Sequence, residues 1–342
     1  MYNFYQSKIR RDIQREVYKN PHFSMHLWGT EYFGVIKEKK IPVPRWAGWP
    51  WKLQRHQILW VQLPNDEELV KQELAHAKKK LSSPDWFGGN VFLQLGVINE
   101  IVRFENAQHI APEFAHDMKA IRLGLRNDIC HKYDLKSSFR ENMPQAGIIY
   151  DVTKSDETLL KDMNDSCRKR VRRSGDFWLR FGDLPIWEEG KFYEKRLTTA
   201  GHKWFNIIRK AQYDRLITYM RENNAWKLLV AYKDDEIIAW SICLFDGEFL
   251  VCPYGFYDRN FSKIWCQHFL KFKTFWRARE HGFTYVDTGG WAPTGFPEHE
   301  LTGVTEFKES LGGEKIEYYG NYDIVINKFL YWVFKLWYKI KK

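Results

Sequence analysis

Residues 227–290 constrain the fold more than any other stretch of the chain, reading as three short strands, a helix and one more strand. KLLVAYK, EIIAWSICLF and EFLVCPYGF are rich in β-branched and aromatic residues, and the pairs Asp234-Asp235 and Asp246-Gly247 separate them. Two-residue turns of this kind set antiparallel hairpins, so the three segments form a meander. A helix is expected from about Ser262 to His281, then a short strand at TYVDTGG, 284–290. The helix carries the chain back over the sheet, so the last strand returns beside the third. The expected class is α+β (mixed α/β), with twisted, mainly antiparallel sheet flanked by helices.

Other elements are legible upstream. DEELVKQELAHAKKKL, Asp66 to Leu81, reads as a helix with acids early and lysines late, as the helix dipole prefers. VFLQLGVI at 91–98 and IIYDV at 148–152 read as strands. A helix is expected over roughly 156–173, with Thr153 or Ser155 as N-cap, because Leu160, Met163, Cys167 and Val171 share one stripe. A further helical stretch covers about 190–222, and IPVPRWAGWPW at 41–51 reads as an irregular ordered connection. No internal repeat is visible by eye.

The chain of 342 residues has room for two domains. Lys and Arg outnumber Asp and Glu by 53 to 43, which favours polyanionic partners such as tRNA, a diphosphate-bearing substrate or an anionic membrane face. Five cysteines, an odd number with no CxxC pair, argue against a disulfide framework or a zinc site and suit a reducing cytoplasm. The histidines show no HExxH, and no GxGxxG or GxxxxGK loop occurs, so no metal or nucleotide cofactor is expected. The start, MYNFYQSKIRRDIQREVYKN, has no apolar core of a signal peptide. No apolar run reaches the roughly 18 residues of a spanning helix. A cytoplasmic monomer is expected.

Meander, helix and returning strand form the core order of the GNAT acyltransferase fold, where two neighbouring strands splay and their backbone groups hold the acyl donor. Several segments resemble the FemABX family, whose members use aminoacyl-tRNA to add amino acids to peptidoglycan precursors. FSMHLWGTEY at 23–32 is similar to the family's Q-S-x-x-W segment without its Gln, and GIIYDVTKSDETLLKDMNDSCRKRVRRSG at 147–175 to its DLS-x(3)-E-x-L…R-x-x-I-R-x(3)-G segment. GFTYVDTGGW at 282–291 resembles Y-D-L-G-G. The most specific match is GVTEFKESLGGEKIEYYGNYDIVINKFLY at 303–331, similar to G-x-x-x-F-K-x-x-F-G-G…Y-x-G-x-Y-D. Together these cover most of the chain from residue 147 onward. The length is that of the family's short form, which implies two GNAT-like lobes: 1–146 with 317–342 on the acceptor side, and 147–316 holding the transfer site.

The resemblance also implies roles for residues. Lys308 matches the family lysine beside the transfer site, where a fixed ammonium suits a developing oxyanion or a donor phosphate. Phe307 would wall the channel. Read on its neighbours alone, Lys308 is a surface lysine between Glu306 and Glu309. Arg209, in IIRKAQY, stands where the short form holds the diphosphate of a UDP-linked acceptor, for which guanidinium offers two parallel donors. Tyr254, in CPYGF, would contact the precursor. Arg168, Arg172 and Arg173, with Lys169 and Arg170, put five cations within six residues and suit tRNA phosphates; a solvated charged face explains them equally well. Asp287, before a Gly-Gly turn, is a base or a turn residue. Two family features are missing: L-G-V-I near Gly96 replaces an Asp-Pro pair, and Thr30, Glu31 and Tyr32 stand where a lysine follows the early Trp. One diphosphate contact is therefore unaccounted for.

The expected reaction moves an amino acid from aminoacyl-tRNA, a co-substrate, to the stem-peptide amine of UDP-MurNAc-pentapeptide or lipid II, building the interpeptide bridge of the cell wall. One alternative is an acetyl-CoA-dependent GNAT enzyme, although both glycine positions of its pyrophosphate loop are filled here by Ser262 and Ile264. Another is a non-catalytic RNA- or membrane-surface-binding protein. At the C-terminus, IVINKFLYWVFKLWYKIKK, 324–342, carries Lys328, Lys335, Lys339 and Lys342 on one helical stripe beside a broad aromatic face. Such a helix suits peripheral contact with the inner membrane face, although most apolar faces of terminal helices are core and this one would then cap the first lobe.

Overall fold

The computed structural model describes residues 11–40, 52–82, 90–105, 112–139, 145–184, 193–194, 197, 210–223, 226–299 and 301–341. The segment 41–51, Arg209 and most of 190–209 lie outside the described residues.

The chain begins with strands β1 (His22–Leu27), β2 (Thr30–Lys40) and β3 (Lys52–Val61), helix α1 (Glu67–Ser82) and strand β4 (Asn90–Phe104). Helix α2 (Pro112–Lys132), β5 (Lys136–Ser137), β6 (Ala146–Asp151), α3 (Asp156–Asp162), α4 (Asp165–Ser174) and β7 (Arg180–Asp183) follow. Then come α5 (Lys210–Glu222), β8 (Trp226–Lys233), β9 (Glu236–Asp246), β10 (Phe249–Tyr257), α6 (Cys266–Glu280) and β11 (Tyr285–Trp291). The chain closes with α7 (Thr302–Ser310), β12 (Glu314–Val325) and α8 (Lys328–Lys341).

All twelve described strands join one mainly antiparallel sheet, in the order β1-β2-β3-β4-β12-β6-β11-β10-β9-β8-β7, with β5 on β12. The two halves repeat one topology. In each, an antiparallel meander (β1-β2-β3 or β8-β9-β10) is followed by a helix (α1 or α6) and a strand parallel to the third (β4 or β11). β12 joins the halves, lying antiparallel to β4 from Lys315 to Val325 and to β6 from Glu314 to Glu317.

Local chemistry sets these elements. The turns of the second meander place Asp234 and Gly247 at φ of 55° and 58°, as tight hairpins require. In α1, Val70, Leu74, Ala77 and Leu81 face the core at spacings of four, three and four, and Asp66 Oδ1 accepts from Leu69 N at 3.0 Å to start the helix.

Three boundaries differ from the pattern reading. The helix expected over 156–173 is two helices. Ser155 caps the first, but Met163 turns to an extended ψ of 150° and Asn164 Oδ1 accepts from Cys167 N at 2.8 Å, opening the second. Leu159 rather than Leu160 is the buried residue of the first turn. The helix expected from Ser262 begins at Cys266, because Trp265 takes a left-handed φ of 53° after a short 3-10 turn over Arg259–Ile264. Residues 324–325 end β12 rather than starting the last helix, which begins after Asn327 accepts from Leu330 N at 2.9 Å. Among the described residues, no helix is long and apolar enough to cross a membrane.

Candidate active site

The two parallel strand pairs behave differently. β3 and β4 pair from Gln54 opposite Asn90 to Val61 opposite Val97, with register shifts after Gln54 and after Ile58. β10 and β11 pair only over Phe249–Val251 and Tyr285–Asp287, then separate. The cause is legible in the chain. Pro253 has no N–H to give a ladder, and β10 slips against β9 between Val251 and Tyr254. β11 slips in turn between Asp287 and Gly290, where Gly289 takes a φ of 75° and Asp287 Oδ1 accepts from Gly289 N at 2.7 Å. Separation leaves a cavity of about 350 Å³, walled by residues that include Cys252, Phe256, Lys271, Thr288, Phe307 and Lys308.

Lys308 comes from α7 and is only 9% exposed. The surface reading of this lysine is therefore wrong: Glu306 faces solvent, and Glu309 turns towards Lys315 at 3.6 Å. Lys308 Nζ donates to the carbonyls of Gly290 at 2.6 Å and Gly289 at 3.2 Å, so the Gly-Gly turn is its cradle. Tyr150 Oη donates to the Lys308 carbonyl at 2.9 Å, and Thr305 Oγ1 accepts from Ala292 N at 2.8 Å, tying α7 to β6 and to the end of β11. Burial, reinforced by the charge of Lys271, lowers the Lys308 ammonium to about 8; Asp287 and Cys252 oppose the shift. Burial raises the Asp287 carboxyl against the pull of Gly289 N–H and the two lysines. Asp287 thus holds the turn and stabilises the ammonium.

Phe307 forms part of the same wall, and its ring meets the edge of His268 with centroids 5.1 Å apart. Burial and Arg170 lower His268 to about 4, so the imidazole is neutral. Tyr254 is not in the wall; it packs with the cluster containing Val251 and Ile242, on the sheet face opposite Cys252. Arg168 pairs with Asp165, Arg173 lies over the Trp265 ring at 5.2 Å, and Arg172 is exposed. The structure thus brings Lys308 and Phe307 together and places the arginines on α4, apart from Tyr254.

Pattern reading missed two residues of this cavity wall and one exposed aromatic on the surface. Lys271 and Cys252 belong to no motif, although a lysine directly after the buried Leu270 of α6 marks the edge of its apolar stripe. Trp178, at 84% exposure and φ 54°, stands on solvent next to Phe177, which meets the Trp265 ring.

In the turn after β10, Asp258 Oδ1 accepts from Asn260 N at 2.9 Å, and Phe261 N donates to the Asp258 carbonyl at 3.0 Å, so the first two N–H groups after Arg259 are taken within the chain. On the other face of α7 lies a second cavity of about 550 Å³, walled by Thr294, Glu306, Glu309 and Lys315 among others. Lys315 Nζ stands 4.1 Å over the Trp291 ring and 3.4 Å from Glu317, which also pairs with the buried Arg122. Among the described residues, no group of three or more His, Cys, Asp or Glu could hold a metal ion.

Residues 218–339 match the FemAB family. The fold is similar to the crystal structure of FemX, with a TM-score of 0.66 at 14% identity over 97% of this chain and 94% of that one. It is also similar to a conserved protein of unknown function from Bacteroides thetaiotaomicron, with a TM-score of 0.52 at 11% identity over 94% and 91% of the two chains. No curated protein matches the sequence.

Proposed function

Since the chain is a FemABX-family protein, with the family match over residues 218–339, we infer that it transfers an aminoacyl group from aminoacyl-tRNA to the stem-peptide amine of a peptidoglycan precursor. The observation that carries this reading is the buried Lys308 ammonium, held by two carbonyls in the wall of the cavity between β10 and β11. The acceptor amine attacks the ester carbonyl of the donor. The carbonyl oxygen gathers negative charge, and Lys308 stabilises it in a site screened from water. Collapse forms the amide and breaks the ester bond, and the amine's proton leaves with the ribose hydroxyl of the tRNA. Phe307 shapes the passage.

Further contacts follow from the same reading. Arg168, Arg172 and Arg173 would hold tRNA phosphates, and the exposed Trp178 offers a stacking surface for a base. Arg209 and Tyr254 would contact the acceptor, with 1–146 and 317–342 forming the acceptor-side lobe and 147–316 the transfer lobe. α8 would rest on anionic lipid, since Phe329, Trp332, Leu336 and Ile340 are exposed beside Lys328, Lys335 and Lys339. That contact suits a lipid-linked acceptor. Acetyl-CoA is disfavoured as donor, because Ser262 and Ile264 fill the glycine positions of its pyrophosphate loop, and the N–H groups of Asn260 and Phe261 are taken within the turn. Ribonuclease treatment of the reaction mixture tests the donor. Transfer should stop, whereas transfer that persists with acetyl-CoA alone would overturn the reading.

A further inference from the structure

Two thiols face each other beside the channel. Cys243 on β9 and Cys252 on β10 sit on neighbouring antiparallel strands with Sγ atoms 3.2 Å apart. They lie between the registered pairs Val251–Leu244 and Tyr254–Ile242, and closing their sulfur gap to the roughly 2.05 Å of a disulfide needs only a small approach. The ladder slip at Cys252-Pro253 leaves this part of β10 without regular pairing, so the sulfur atoms can approach without breaking a ladder. The other three cysteines, Cys130, Cys167 and Cys266, are also free thiols.

The two thiols are not equivalent. Cys252, 4% exposed, is in the cavity wall, whereas Cys243, 0% exposed, is not. The hydrogen bond from Cys243 lowers the Cys252 thiol against the effect of burial, and the charge of Lys271 adds to the lowering. Burial pushes the Cys243 thiol well up. The sulfur that borders the cavity is thus the nucleophile, and the other is placed to resolve what it forms.

We propose that Cys252 and Cys243 are an oxidation site that takes a hydroperoxide and closes to a disulfide, slowing transfer through the adjoining channel. The Cys252 thiolate attacks the terminal peroxide oxygen, the O–O bond breaks, and the departing oxygen takes up a proton, leaving as water from hydrogen peroxide or as an alcohol from an organic hydroperoxide. Cys252 is left as sulfenic acid. Cys243 sulfur then attacks Cys252 sulfur; the S–S bond forms, the S–O bond breaks, and hydroxide leaves with the Cys243 proton as water. One hydroperoxide (hydrogen peroxide in the test) is reduced by two electrons and two thiols are oxidised. The disulfide removes the negative charge that Cys252 sets near Lys308, and it pins β10 where that strand leaves β11. The effect on transfer rests on the proposed function; the thiol chemistry does not.

The tryptic peptide 234–259 contains both cysteines and no internal Lys or Arg. The full chain is reduced, exposed to hydrogen peroxide, denatured, alkylated and digested without reductant. The peptide should be lighter than the dithiol form by two hydrogens and carry no alkyl group, and dithiothreitol should restore both alkylation sites. Transfer should be lost in proportion to the disulfide and return with dithiothreitol. Cys243→Ala should keep the starting rate, escape this reversible loss, and expose a Cys252 sulfenic acid that dimedone traps. Full alkylation of the wild-type peptide after peroxide overturns the site. A disulfide that forms with no change in rate overturns its control of the channel. A reduced enzyme inactive with aminoacyl-tRNA counts against the proposed function, while the peptide mass still decides the thiol pair.

Discussion

At the residue scale, Lys308 separates what a sequence shows from what a fold does. T-E-F-K-E reads as a solvated helix edge, and only the helix phase, fixed by Tyr150 and Thr305, turns this one cation into the sheet. The Gly-Gly pair of 289–290 is legible as a turn, but its two carbonyls become an ammonium cradle only because β11 slips there. Replacing Lys308 by Ala should lower turnover by about 100- to 1,000-fold, as loss of one oxyanion-stabilising group does. Freeing the two carbonyls should cost about 1–3 kcal/mol of folding stability, and chemical denaturation measures that separately. A folded Lys308→Ala protein with a wild-type rate would remove Lys308 from the reaction. The charge of Lys308 also sets a pH profile. Its ammonium, lowered to about 8, is lost as pH rises through that value, so turnover should fall above pH 8. Stability should not fall with it on this group's account. Between about 8 and the ordinary 10.5 the unfolded chain binds more protons at Lys308 than the folded one, so the Lys308 contribution to stability rises across that window. An activity profile flat to pH 10 would contradict the role.

At the element scale, the joint between α7 and β12 and the two sides of α8 carry the consequences. S-L-G-G is recognisable as a motif, but its reason is steric. Gly312 and Gly313 take φ of 82° and 87°, and a Cβ on Gly313 would lie 2.8 Å from the Tyr150 ring and 2.9 Å from the Ile149 carbonyl. Gly313→Ala should therefore destabilise by at least about 1–3 kcal/mol, the range for a residue forced into a disfavoured backbone region. An unchanged midpoint in urea would contradict that. For α8, membrane contact and core packing are compatible rather than alternatives, because different sides of the helix serve them. Phe334 is buried and meets the rings of Phe92 and Phe139, while Trp332 and Ile340 stand 59% and 78% exposed. Phe334→Ala should cost about 3–5 kcal/mol, read as a lower melting temperature. Trp332→Glu with Ile340→Glu should leave melting unchanged and abolish sedimentation with anionic vesicles. Vesicle binding that survives this pair removes the lipid contact. The lysine stripe and aromatic content were visible beforehand; which aromatics turn inward was not, since that depends on Phe139, 195 positions upstream of Phe334.

At the scale of the whole molecule, one topology occurs twice in a single sheet, and only one copy is opened. The second meander was legible because its strands alternate cleanly between short turns. The first was not, since buried polar residues such as Gln54, His56 and Gln57 blur its pattern, and the match between halves lies in strand order rather than in side chains. Nor does local sequence reveal that β12 bridges the halves, or that Arg122 and Glu317, almost two hundred residues apart, form a buried ion pair beside that bridge. The separation of β10 from β11 after Val251 gives the second half a channel, whereas β3 and β4 of the first half pair over a longer stretch, with two register shifts. The central claim is that this channel receives an aminoacyl ester. The most direct test is incubation of the purified chain with a pool of radiolabelled aminoacyl-tRNAs and a lysine-containing muropeptide precursor. Label should move to the precursor in the wild type and be retained on tRNA with Lys308→Ala. Label that stays on tRNA in both, while labelled acetyl-CoA acylates the precursor, would contradict the account.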